Sequence, residues 1–175
     1  MSDVMKNITA NEKHILDVTC GMRGIWFQKK EPHTLYCDRR QETHETVSGT
    51  LKSHRTIEVK PDMICDFTDL PFADESFELV VFDPPHIIQE KGEGWMTKMY
   101  GCYRSKEEAL DSVSRGIHEC LRVLKPYGVL IFKWAETSVA TPEIIKAIGV
   151  KPLFGHRSGK KSQTNWMAFM KFEKE

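Results

Sequence analysis

The sequence predicts an α/β domain: a mostly parallel twisted sheet with helices on both faces and an antiparallel last strand. Three observations carry this. Short apolar runs of strand length recur at 14–20, 34–37, 62–67, 78–82, 128–134 and 165–172. Most lack the polar alternation of a half-solvated sheet, as parallel strands do. A long amphipathic stretch separates the fourth run from the fifth, the spacing of a right-handed parallel crossover. The last run follows Pro152-Leu153-Phe154 across residues 155–163 alone. That link is short for a helical crossover, so the final pair reads as antiparallel.

The first run ends in Asp17 and leads through Cys20 and Gly21 into a glycine turn, with a short helix expected after Gly24 through Ile25-Trp26-Phe27. The second run ends at Asp38 and the third at Asp66-Phe67. Between them, residues 41–60 are polar and without strong periodicity. The fourth, Leu79-Val80-Val81-Phe82, stops at Asp83-Pro84-Pro85-His86. Residues 87–104 are rich in glycine and aromatics; long irregular stretches in compact domains often form lids or binding loops. From 105 to 124, Leu110, Val113, Ile117, Leu121 and Leu124 fall on one helical face. Ser105 and Glu108 form a capping box there, and Pro126 and Gly128 end the helix. Thr141 as cap and Pro142 in the first turn open another, shorter helix.

A chain of 175 residues with 40% hydrophobic and 29% charged residues fits one globular domain that can bury a core unaided. The 25 basic side chains equal the 25 acidic ones, so global charge supports neither a nucleic-acid partner nor a membrane surface. The charge is uneven, however. Residues 62–93 hold nine acids and one base, and 151–175 hold six bases and two acids. Five scattered cysteines without a CxxC pair point to free thiols in a reducing, cytoplasmic setting. Cys20, Cys37 and Cys65, each at a strand end, read as small buried hydrophobes. The seven histidines lack metal-ligand spacing, so no metal is expected. The polar N-terminus carries no signal-peptide pattern, and no apolar run reaches transmembrane length. Oligomeric state leaves no mark in the sequence.

The strand ends hold the chemistry. In open α/β sheets, ligands bind beyond the carboxyl ends of the strands. A glycine turn lets a ligand approach the backbone. Asp38, 21 residues after Asp17, suits hydrogen bonding to ribose hydroxyls. Asp66 beside Phe67 can take an adenine amino group and flank its ring. At the fourth strand end, two prolines cannot continue a central strand. They fix Asp83 and His86 in a stiff turn.

Four stretches, LDVTCG (16–21), YCD (36–38), CDFTDLPFADESFELVVFDPP (65–85) and CLRVLKPYGVLIFKW (120–134), resemble in order and spacing the class I S-adenosylmethionine-dependent methyltransferases. The resemblance implies one Rossmann-like domain over 1–175 with S-adenosylmethionine as cofactor. Asp17, Cys20 and Gly21 would approach its methionine part, Asp38 its ribose, Asp66 and Phe67 its adenine, with Asp83 beside the methyl. The family usually has a second glycine where this chain has Arg23, with Gly24 one later. Arg23 then faces either the cofactor carboxylate or solvent. Asp83-Pro84-Pro85-His86 resembles the Asp/Asn-Pro-Pro-aromatic (DPPY/NPPY-type) motif of amino-group methyltransferases. It implies that Asp83 and the Pro84 carbonyl accept the substrate's N–H groups while His86 stacks on it. Trp95, Tyr100 and Tyr103 could share the stacking, or pack over their own core. The expected substrate is an exocyclic amine of a nucleic-acid base, adenine N6 foremost, in DNA or RNA; a duplex base would have to be flipped out. The HRSGKK loop (156–161) either contacts phosphate or is a solvated hairpin. Two alternatives stand: a methyltransferase for a protein amide or small-molecule amine, and a catalytically silent methyltransferase-fold partner subunit.

Overall fold

The computed structural model describes residues 13–47, 54–91, 95–157 and 163–173. In chain order the elements are β1 (Ile15–Asp17), β2 (Thr34–Asp38), β3 (Glu42–Val47), β4 (His54–Val59), β5 (Met63–Ile64), β6 (Phe77–Phe82), α1 (Trp95–Tyr100), α2 (Lys106–Val123), β7 (Leu124–Ala135), α3 (Thr141–Ile148), β8 (Phe154–Arg157) and β9 (Thr164–Met170). Seven strands form one sheet in the order β5-β2-β1-β6-β7-β9-β8. The first five are parallel, and β9 runs antiparallel to both β7 and β8. The α/β class and the antiparallel final pair are therefore as the sequence predicts.

The strongest sequence signal gives α2. Ser105 accepts the Glu108 N–H at 3.1 Å, and Glu108 reaches back to the Arg104 N–H at 2.6 Å. Its apolar stripe buries Val113, Ile117 and Cys120. Gly116 faces the same way because nothing larger fits: a Cβ there would stand 2.7 Å from Phe82 and 2.8 Å from Phe67. The helix passes directly into β7 at Leu124, and Gly128 sits in a tight irregularity of that strand rather than in a loop. α3 starts at Thr141 with Ala140, not Thr141, in the capping position.

The expectation of a short helix after Gly24 is corrected. The steps β6-α2-β7 and β7-α3-β8 cross the sheet in one direction, so right-handed connections place both helices on one face. Ser114 and His118 of α2 bond the Ala147 and Ile148 carbonyls of α3, and the core lies beneath them, including Leu130, Phe132 and Trp134. The steps β1-β2 and β2-β5 run the opposite way. Among the described residues they carry turns at 18–33 and the β3–β4 hairpin, not helices. The helix expected at Ile25-Trp26-Phe27 is absent: the Trp26 N–H closes a turn on the Arg23 carbonyl at 3.2 Å, and the Trp26 indole is held by Asp17. Trp26 covers this face instead, edge-on to Tyr36 at 5.2 Å. The polar stretch 41–60 yields the hairpin through plain alternation, Ile57 and Val59 buried and Thr56 and Glu58 exposed.

Candidate functional site

β1, β2 and β6 are parallel neighbours, so Asp17, Asp38 and Asp83 emerge at the same edge of the sheet. Asp17 closes β1 and is buried. Its Oδ2 accepts the Trp26 Nε1–H at 2.7 Å and its Oδ1 the Thr19 N–H at 3.1 Å. Burial pushes its carboxyl up to about 7; the Trp26 and Thr19 bonds oppose this, and the Asp83 and Asp38 charges add to it. A carboxyl raised in the folded state keeps its proton where the unfolded chain has lost it. Folding then takes up a proton between the ordinary 3.8 and about 7, and stability falls as pH rises through that window. Asp17→Asn is expected to remove this slope. Urea unfolding at about pH 5 and about pH 8 should lose on the order of 2 kcal/mol more in the wild type than in the variant.

Asp38 closes β2. Its Oδ2 accepts the Gly21 N–H at 3.0 Å, and its Oδ1 takes the Arg40 N–H at 2.9 Å and Nε–H at 3.3 Å. A carboxylate offers about four acceptor positions, so one is left for a ligand hydroxyl. Arg40 also bonds Glu42 and the Lys98 carbonyl, tying α1 to this edge. Cys20 is buried, its N–H on the Cys37 carbonyl at 2.8 Å; burial keeps its thiol protonated. All five cysteines are free.

Asp83 follows β6. Its N–H donates to Thr19 Oγ1 at 2.8 Å, and its Oδ2 accepts Lys133 Nζ at 2.5 Å. Burial raises its carboxyl, and the Lys133 charge and hydrogen bond oppose this. Burial lowers the His86 imidazole and favours the neutral ring, although the Asp83 charge opposes this. That ring lies 5.9 Å from the Tyr100 ring, tilted by 43°.

These groups enclose space. A cavity of about 240 Å³ is lined by Asp17, Thr19, Cys20, Gly21, Arg40, Asp83, Tyr100 and Lys133, among others. A smaller one of about 30 Å³ adjoins it through Thr19, Arg40, Asp83 and Tyr100, with Asp38, Phe67 and Pro85 on its wall. A Cβ built on Gly21 meets nothing within 4 Å, so the turn faces open space, as a cradle for a ligand must.

Other sequence-predicted residues are placed differently. Asp66 is turned to Thr68, whose N–H and Oγ1 both bond its Oδ1 at 2.8 Å, and it lines neither cavity. Burial would raise its carboxyl, but the Thr68 bonds and the Arg39 and Arg115 charges hold it low. Phe67 packs against Phe82, ring centroids 5.0 Å apart, yet still reaches the wall of the smaller cavity. Tyr103 is fully buried in the core, its hydroxyl without a hydrogen-bond partner among the described residues. The Trp95 side chain and residues 158–161 of the HRSGKK loop lie outside the described residues. Arg23 takes neither expected direction: it bonds Asp62 at 2.8 Å and lies 3.8 Å over the Tyr36 ring. It staples the turn in place of the missing glycine.

Sequence reasoning missed Thr19, Arg40 and Lys133. Lys133 alone left a signal, a single charge inside the apolar run VLIFKW. Among the described residues no cluster of three or more His, Cys, Asp or Glu side chains could hold a metal ion, and no helix is long and apolar enough to cross a membrane.

No protein-family model and no curated protein matches the sequence. Solved structures do match in fold. A SAM-dependent methyltransferase of Methanosarcina mazei is 13% identical over 99% of both chains, TM-score 0.55. One of Leishmania major is 10% identical over 96% of this chain and 68% of the other, TM-score 0.54. A protein of Pyrococcus horikoshii is 14% identical over 96% of this chain and 85% of the other, also at 0.54. The fold is that of the SAM-dependent methyltransferases.

Proposed function

We propose that this chain transfers a methyl group from S-adenosylmethionine to an exocyclic amino group of a nucleic-acid base, adenine N6 foremost. The observation that carries this reading is one cavity with two chemistries on its wall: Asp17 and Gly21 at one strand end, and Asp83 of the Asp-Pro-Pro-His turn at another.

S-adenosylmethionine, when bound, supplies an electrophilic methyl on a sulfonium. The chain's residues hold and aim. Gly21 offers a close backbone approach, Asp17 gives up the proton that burial holds on it when an ammonium arrives to pair with it, and Asp38 keeps one acceptor position for a ribose hydroxyl. An aromatic amine is a poor nucleophile because its lone pair is delocalised. Asp83 and the Pro84 carbonyl accept its two N–H groups and turn that lone pair toward the methyl, with the acceptors fixed in advance by the two prolines. Tyr100, which lines both cavities with the His86 ring 5.9 Å away, offers a flat wall to the base.

A wider cleft of about 570 Å³ shares Gly21 and Met22 with the cavity and is lined by Lys13, Lys29, Lys30 and Lys60. Glu31, Glu58 and Asp62 also line it, but Arg23 already neutralises Asp62. The surplus of cations suits a phosphate backbone.

Tritiated-methyl transfer tests the reading. Label in DNA or RNA supports it. Label only in protein or small molecules supports an amide or small-amine substrate instead. Cofactor binding with no label in any pool supports a silent subunit. Asp38→Ala is expected to weaken S-adenosylmethionine binding by about 1–3 kcal/mol, since a charge-assisted bond is lost and Gly21 is released. Calorimetry showing unchanged affinity would remove Asp38 from the site.

A further inference from the structure

We infer that Lys133 is a positioning residue for amine recognition: it occupies one oxygen of Asp83 and so presents the other, ionised, to the substrate. The inference rests on the methyl-transfer reading above.

Phe82 and Phe132 are register partners on β6 and β7, so the next residues, Asp83 and Lys133, stand side by side. Lys133 Nζ bonds Oδ2 at 2.5 Å; no hydrogen bond to Oδ1 is made by any described residue. Lys133 is itself fixed, its Nζ lying 5.7 Å from the centre of the Trp166 ring on β9. The cation therefore pins the carboxylate about its last torsion and decides which oxygen is free.

The neighbours of Asp83 explain why a cation is needed. Asp17 of β1, buried and itself raised to about 7, supplies no positive charge to hold Asp83 ionised. His86, in the same turn, is held toward neutrality by burial. Arg40 lines the same cavity but is engaged by Asp38 and Glu42. Lys133 is the group bonded to Asp83 that opposes proton uptake. A protonated Asp83 would offer a donor where the substrate amine needs an acceptor. Stability alone does not call for this arrangement, because an apolar residue at 133 beside an apolar residue at 83 would pack a buried site as well or better.

The test has two arms. In the first, the free protein carries aspartate labelled with carbon-13 at the carboxyl, and the Asp83 resonance is identified by its loss in Asp83→Asn. In Lys133→Met, Asp83 should titrate at higher pH than in the wild type, and Lys133→Arg should restore it toward the wild type. Lys133→Gln serves if the Met variant does not fold. An unmoved titration in the folded Met or Gln variant overturns the inference. In the second arm, transfer is followed across pH on adenine-containing oligodeoxynucleotides, single-stranded and duplex. For the Met variant we expect kcat about ten-fold lower at neutral pH, the acidic limb moved to higher pH, and S-adenosylmethionine affinity within about two-fold. Wild-type kcat with an unmoved limb overturns the inference. If the titration moves but the wild type labels no oligonucleotide, the role of Lys133 stands and the nucleic-acid reading is what fails.

Discussion

Asp83→Ala is expected to lower methyl transfer on the order of 10³-fold while S-adenosylmethionine still binds. The size follows from what is lost together. Asp83 supplies the carboxylate acceptor for the amine, and its removal strands Lys133, whose Nζ now bonds Oδ2 at 2.5 Å. The backbone can hold its course, because the bond to Thr19 Oγ1 comes from the N–H of residue 83 and survives the substitution. Asp83→Asn should fall between wild type and Ala, since an amide keeps one carbonyl acceptor but no charge for Lys133. Single-turnover transfer with bound, labelled cofactor measures all three. Full activity in Asp83→Ala would exclude the mechanism, and loss of cofactor binding would move Asp83 from the amine to the cofactor.

Phe132→Ala should destabilise the fold by about 3–5 kcal/mol, the largest stability effect expected for one side chain near the site. Phe132 lies in the C-terminal half of β7, fully buried, 5.6 Å from Phe82, 6.2 Å from Trp134 and 6.3 Å from Phe169 by ring centroids. It is followed by Lys133 and faces the residue before Asp83, so the cavity it leaves would loosen both partners of the ion pair. Helix α2 cannot settle into the gap without driving Gly116 closer to Phe82 and Phe67, which already stand within 3 Å of its missing Cβ. Urea unfolding followed by far-UV circular dichroism measures the loss. A control at Phe154, which is 72% exposed, should change stability by no more than about 0.5 kcal/mol. Equal small effects at both positions would show that the core is not organised around β7.

Much of the fold was legible because each signal was local. Apolar runs gave the sheet, the stripe from Leu110 to Leu121 gave α2, and the nine residues 155–163 gave an antiparallel last pair. Charge and turn chemistry drew attention to Asp17, Gly21, Asp38 and Asp83, which the parallel strands gather at one edge. The expected helix at Ile25-Trp26-Phe27 misled because its pattern is local too, whereas the winning interactions are distant: Trp26 reaches Asp17 and Tyr36, and Arg23 reaches Asp62. The hairpin in 41–60 leaves little trace in the sequence because its alternation is carried by polar residues on one side and by Ile57 and Val59 on the other.

By itself, then, the sequence determined which residues end the strands and where the chain must turn, since dihedral preference and burial act within a few residues. Only the tertiary structure decided the partners. Lys133 on Asp83, Arg40 on the Lys98 carbonyl, and Tyr103 drawn into the core all depend on groups brought together from distant parts of the chain. The physical reason is that pairing and burial are set by strand order and register, which place residues 50 apart within a hydrogen bond of each other.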